Sequence, residues 1–110
     1  MRTSTWKPAD LYRQLPSAAS GQERYLHPYR AGDTELGFYA PVGKDEQSPH
    51  DRDEFYFIAS GTGTFVHDGE RSAFSPGDAL FVAAGVEHRF EDFSEDFAAW
   101  VVFVGPRRPI

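Results

Sequence analysis

The sequence predicts an all-β domain of the barrel or sandwich type, and three observations carry that prediction. Short runs rich in aromatic and branched residues recur with turn signals roughly every eight to twelve residues. Asp68-Gly69, the dipeptide of a tight hairpin, lies between two such runs. Ten Gly and eight Pro in 110 residues punctuate the chain too often for long helices.

The elements follow in order. Residues 1–24 form a polar N-terminal extension, with a short helix over Pro8–Leu15. Pro8 sits in its first turn and Pro16 ends it. Ser17–Gly21 is a loop. The segment carries no chemistry and serves to cover one end or edge of a sheet. Tyr25–Tyr29 is an edge strand, because Pro28 lacks the N–H a central strand needs. Arg30–Thr34 is a turn, Leu36–Val42 a strand, and Gly43–Pro49 a polar loop.

Glu54–Ala59 is the next strand, followed by the turn Ser60-Gly61-Thr62-Gly63. Thr64–His67 and Arg71–Phe74 form the hairpin around Asp68-Gly69. Ser75-Pro76-Gly77-Asp78 turns the chain into the strand Ala79–Val82. Ala83–Val86 is a turn and His88–Phe90 a strand. Phe93–Asp96 is an acidic connection, and Phe97–Val104 is the last and most apolar strand. No linker or repeat divides the chain, so residues 25–105 read as one domain with a tail over 106–110.

Composition narrows the function. The chain is 40% hydrophobic and 15% aromatic, which argues against disorder. A net charge of −6 repels phosphate backbones, so nucleic acid is not an expected partner. No apolar run is long enough to span a membrane, and the N-terminus lacks the apolar core of a signal peptide. The expectation is a soluble cytoplasmic protein. There is no Cys, so disulfides, thiolate chemistry and Cys-type zinc sites are excluded. Any metal must be held by His, carboxylate or other oxygen donors.

Two of the four histidines stand at strand starts. His50 precedes Glu54 by four residues, and His88 opens a later strand. Two imidazoles and a carboxylate suit Fe(II), Mn, Ni or Zn, and leave positions open for water or substrate. Strand parity puts Glu54 and Tyr56 on one face, and His88 and Phe90 on one face. Tyr56 and Phe90 are therefore pocket candidates, with plain core packing as the alternative and the favoured one for Phe90. Tyr39 can line the barrel mouth. Trp100 can be core, pocket wall or dimer contact. His27 reads as exposed, and His67 reads as surface beside its hairpin, although it shares a face with Phe65. Arg52 can meet an anionic substrate, but a surface pair with Asp51 or Asp53 is the simpler reading.

The spacing of these residues resembles the cupin superfamily. Gly43, His50, Glu54 and Gly61 match the frame of its first motif, with six residues between Glu54 and Gly61. Gly77, Gly85 and His88 match its second motif in register. The departures are Ser48 in place of the first motif His, Ala83 in place of Pro, and Asp92 in place of Asn. The resemblance covers roughly residues 42–104. It implies a cupin jelly-roll β-barrel of about eight strands that holds one small ligand. It also implies one divalent metal ion on His50, Glu54 and His88, with water in the gap at Ser48. Cupins commonly dimerise through a sheet face, so a homodimer is expected.

Two function classes follow. The first is a metalloenzyme acting on a small organic molecule, with dioxygenase, isomerase or lyase chemistry and Tyr56 as catalytic acid, base or hydrogen-bond donor. The second is a non-catalytic module that binds or senses a small ligand. Residues 1–24 are too short and too weakly basic for a DNA-binding segment. A purely structural dimer is a third, minor reading.

Overall fold

The computed structural model describes residues 4–109; the remainder of the extension and tail, residues 1–3 and 110, lies outside the described residues. Helix α1 spans Pro8–Gln14 with Pro8 at its start, and Leu15 turns extended before Pro16. A single 3₁₀ turn covers Ala18–Ser20. Eight strands follow: β1 Tyr25–Ala31, β2 Thr34–Tyr39, β3 Asp53–Ser60, β4 Gly63–His67, β5 Glu70–Phe74, β6 Ala79–Val82, β7 His88–Glu91 and β8 Ala98–Val104.

The strands form two antiparallel sheets, ordered β1-β2-β8-β3-β6 and β5-β4-β7. The sheets face each other in a jelly-roll arrangement without closing into one hydrogen-bonded cylinder. At the β4–β5 hairpin, Asp68 and Gly69 both adopt positive φ, 51° and 83°, as a primed two-residue turn demands. Among the described residues, no helix is long and apolar enough to cross a membrane.

The ends of β1 and β2 depart most from expectation. β1 does not end at Tyr29 but runs to Ala31, because Arg30 and Ala31 pair with Glu35 and Thr34 and leave only a two-residue turn. Pro28 is accommodated where the register slips between Leu26 and Tyr29 on this edge strand. β2 stops at Tyr39, short of Val42, and a long loop then carries the chain to β3.

Alternation along the strands sorts the core. Inner-face Tyr56, Phe65, Phe74, Phe90 and Phe97 are all buried. Their rings interlock, with centroids 4.9 Å apart for Tyr56–Phe90, 4.7 Å for Phe90–Phe97 and 5.0 Å for Phe74–Phe97. This aromatic plug fills one end of the barrel, so open space is left at the other. On the outer face of the larger sheet, Leu11 of α1 packs with Phe38, Ala40 and Ala98, flanked by Trp6 and Trp100. The extension thus covers the β1–β2 side of that sheet. The side near β3 and β6 keeps Phe55, Phe57 and Phe81 37–48% exposed.

Candidate metal centre

A cavity of about 430 Å³ opens at the end of the barrel away from the aromatic plug. His50, Glu54, Tyr56, Tyr39 and Gln47 line its inner part. They reach it from β2, β3 and the loop between them, and His88 approaches from β7. Glu54 and Tyr56 are successive inward positions of β3. His88 is the first residue of β7. His50 lies in the loop before β3, and its carbonyl accepts the Gly85 N–H at 2.8 Å, which ties it to the turn that leads to β7.

One ligand atom from each of His50, Glu54 and His88 lies within 4.8 Å of the others. His88 Nε2 stands 3.1 Å from Glu54 Oε1, and His50 Nε2 3.8 Å from the same oxygen. Glu54 is 2% exposed, yet its Oε1 has no hydrogen-bond partner among the described residues. A buried carboxylate oxygen without a donor is costly. A cation between the three groups would satisfy it, so the donor set fits a divalent ion.

The His88 ring is oriented from behind. Its Nδ1 lies 2.9 Å from the Val86 carbonyl. A carbonyl only accepts, so Nδ1 carries a hydrogen and Nε2 is turned toward Glu54, Gln47 and Tyr56. Burial lowers the His88 pKa, but bonds to Glu54 and the Val86 carbonyl outweigh it and hold the pKa above the usual value. Burial also pushes His50 down, so its neutral form is favoured. Tyr56 OH sits 3.0 Å from Gln47 Oε1 and 3.1 Å from His88 Nε2. Burial, with Glu54 nearby, raises that phenol well above its ordinary pKa.

Two residues of the β2–β3 loop were not singled out in the sequence. Asp45 is 5% exposed and accepts three hydrogen bonds, from Tyr39 OH at 2.6 Å, Gln47 Nε2 at 2.6 Å and Phe90 N–H at 2.9 Å. Gln47 Oε1 lies 3.1 Å from both His50 Nε2 and His88 Nε2. Ser48 beside it is exposed. Nothing in the spacing of a loop that reads as polar and solvated marks either residue. Asp45 and Gln47 turn inward while Glu46 and Ser48 between and beside them are exposed.

The outer part of the cavity is polar. Glu35, 4% exposed, accepts from Tyr25 OH at 2.9 Å and contacts His27 Nδ1 at 2.7 Å. Arg30 Nε and Arg52 Nη1 stand 3.4 and 3.7 Å from its other oxygen. The tail folds back here, with Arg107 paired to Asp33 and Asp51.

Several expectations are corrected. Arg52 pairs with Asp51 at 3.5 Å as expected, but not on the surface: its side chain is 11% exposed, lines the cavity and lies 4.4 Å from the Phe103 ring centroid. His27 is exposed, as expected, and its ring turns to Glu35 and the cavity mouth. Of the three pocket candidates, Tyr39 lines the cavity, whereas Phe90 and Trp100 do not. Phe90 belongs to the aromatic plug. Trp100 takes the outer face of β8 and packs edge-on to Phe38 at 5.1 Å, because Val101 and Phe103 hold the inner positions. His67 stacks on Phe65 with centroids 5.9 Å apart and does not reach the donor set.

Fold and site together define a small β-barrel protein with an inward-facing His/Glu donor set. Comparison with known proteins gives the family and the fold. The cupin-domain family profile matches residues 36–104, so the chain belongs to the cupin family, of the single-domain cupin-2 kind. An uncharacterised protein of Streptomyces coelicolor is 37% identical over 90 residues, covering 80% of this chain and 86% of its own length. A cupin-2 domain protein of Shewanella frigidimarina superposes with a TM-score of 0.67 at 16% identity, covering 93% of this chain and 94% of its own. A cupin 2 conserved barrel protein of Salinispora arenicola does so with 0.67 at 19% identity, covering 93% and 89%. At those identities the two structures show the shared fold alone.

Proposed function

We propose that this cupin is a metalloenzyme that acts on a small polar organic molecule, with one Fe, Mn, Ni or Zn ion held by His50, Glu54 and His88. The observation that carries this reading is the buried Glu54 Oε1, unpartnered and facing two imidazole nitrogens. When bound, the ion supplies Lewis-acid or redox chemistry at the inner end of the cavity.

The chain's own residues do the rest. Tyr56 keeps its proton, since its pKa is raised, and acts as a hydrogen-bond donor or proton source at the site. The Val86 carbonyl holds His88 in one tautomer. Val101 and Phe103 provide an apolar wall. Arg52, in the same wall, offers a guanidinium to an anionic group of the substrate. A volume near 430 Å³ suits a small molecule rather than a polymer.

A second reading, a module that binds a ligand without converting it, draws on the Glu35 cluster. Tyr25, His27, Arg30 and Arg52 gather around one carboxylate, which is chemistry suited to recognition. We also propose a homodimer built on the outer face that carries Phe55, Phe57 and Phe81.

Metal analysis of protein purified without added metal or chelator tests the main reading. Fe or Mn near one per chain, lost in His50→Ala, supports an oxygen-dependent enzyme. A metal-free protein whose His50→Ala variant keeps its stability and its small-molecule binding overturns the metal reading in favour of the second.

A further inference from the structure

We infer that Gln47 completes the metal centre: its side-chain amide oxygen is the fourth protein ligand, standing where the motif's first His is missing. The inference rests on the metal reading above and adds a donor that the His/Glu pattern does not contain.

The argument starts with the orientation of the amide. Gln47 Nε2 lies 2.6 Å from Asp45 Oδ2. A carboxylate accepts and does not donate, so this end must be the NH₂ group. The oxygen is thereby assigned to the other end, toward the histidines. Asp45 itself cannot swing away, because Tyr39 OH and the Phe90 N–H hold its two oxygens. Gln47 is therefore aimed by a buried, anchored carboxylate.

The lone pairs then have to be counted. Gln47 Oε1 is 3.1 Å from His88 Nε2 and 3.1 Å from His50 Nε2. Glu54 Oε1 is 3.1 Å from His88 Nε2 and 3.8 Å from His50 Nε2. With Nδ1 donating to Val86, the neutral His88 ring, the form a metal takes, brings a lone pair at Nε2. Three acceptors thus converge: an imidazole nitrogen, a carboxylate oxygen and an amide oxygen. The Tyr56 hydroxyl has one proton, shared between Gln47 and His88, and leaves Glu54 Oε1 without any. Acceptors packed this closely repel unless a cation, either a proton on His88 Nε2 or a metal ion, sits among them.

The spacing agrees. Ligand atoms each about 2.1 Å from one ion, at right angles to each other, stand roughly 3 Å apart. Three of the four contacts are 3.1 Å. A role for Gln47 purely as a hydrogen-bond donor is excluded by its orientation, because its donor end faces away.

A chemical consequence follows. Two imidazoles, one carboxylate and one amide oxygen make a harder set than three imidazoles and a carboxylate. Hard oxygen donors shift preference toward Mn(II) and Fe(II) relative to Cu(II) or Ni(II).

Co(II) is the probe, because its visible absorption reports directly on the donor atoms. Metal-stripped wild type, Gln47→Leu, Gln47→Glu and Gln47→His would be titrated by calorimetry and by absorption, with melting curves to confirm folding. Wild type is expected to bind one Co(II). Gln47→Leu should weaken binding by about tenfold or more and change the spectrum. Gln47→Glu should keep or tighten binding, and Gln47→His should move the bands toward a three-nitrogen set and raise Ni(II) affinity relative to Mn(II). A folded Gln47→Leu with wild-type affinity and an unchanged spectrum overturns the assignment and leaves His50, Glu54 and His88 as the whole set. A wild type that binds no Co(II), Mn(II) or Ni(II) overturns the metal reading itself, which is a different result.

Discussion

The Gly85 N–H donates to the His50 carbonyl at 2.8 Å, so the turn before β7 and the loop before β3 hold each other in place. The link explains why the spacing of two distant sequence motifs reports one site. His88 is three residues beyond that glycine, and Glu54 is four beyond that histidine.

Gly85 adopts a φ of +83° to make this contact. Gly85→Ala should cost about 1–2 kcal/mol from the left-handed backbone alone. Because the strain acts on the tie to His50, metal affinity should fall together with the melting temperature. Parallel calorimetric and melting measurements check this; lowered stability with unchanged affinity would mean the tie does not position the donors.

Glu54→Gln removes the charge that the site is built around. Bound metal should drop well below one per chain. In chelator, at a pH where His88 is neutral, the variant should melt higher than wild type, because a buried carboxylate oxygen without a donor has been replaced by a neutral amide. The gain is expected near 1 kcal/mol, or roughly 4 °C for a chain of this size. A variant that melts lower in chelator would show that Glu54 is well satisfied without metal.

Leu11 is 4% exposed and anchors α1 on Phe38 and Ala98. Leu11→Ala should destabilise by about 2–4 kcal/mol, from lost burial and the cavity left behind. Since this patch lies on the outer face of the sheet, metal stoichiometry should not change. Urea unfolding and metal analysis on the same sample separate the two effects.

Phe55 and Phe81 are register partners on neighbouring strands, with ring centroids 5.0 Å apart. Both are more than one-third exposed, at 37% and 48%. If this face joins two copies, Phe81→Glu should convert a dimer to a monomer in sedimentation at micromolar concentration. Its melting at high dilution should change little. Wild type that sediments only as a monomer removes the dimer proposal.

Glu35 sets an acid limit. Burial raises its pKa, but bonds from Tyr25 and His27 and the charges of His27 and Arg30 outweigh that, and the net shift is downward from 4.5. A depressed folded-state pKa contributes stability above the unfolded value, and that stability is lost as pH falls through the folded pKa. Unfolding midpoints should therefore decline below about pH 4.5, and Glu35→Gln should flatten the decline. At the alkaline end Tyr25 and Tyr39 are both raised above 10 by burial and by Glu35 and Asp45 respectively. A raised pKa favours the protonated form, so stability held below pH 10 should erode above it. Urea midpoints measured from pH 3 to 11 test both limbs.

The fold was largely legible because strands and turns are local. Asp68-Gly69 can form little but a tight hairpin, and Pro28 can sit only on an edge. His50, Glu54 and His88 were legible for a related reason: glycines and ligands at fixed offsets report where a strand begins. The burial of Arg52, and the turn of the exposed His27 toward Glu35, were not legible because charge alone suggested the surface. Only the pairing of β1 with β2 places Glu35 beneath them and draws them inward.

The sequence by itself determined the alternation of strands and turns, the exclusion of thiolate chemistry, and three donors in register. Tertiary structure alone decided which face of β8 meets the cavity, and so sent Trp100 outward and Phe103 inward. It alone brought Asp45 to the backbone of Phe90 and, through it, aimed Gln47 at the histidines. The physical reason is range. A turn is set by a few neighbouring dihedrals, whereas the direction of a loop amide is set by hydrogen bonds to groups some forty residues away.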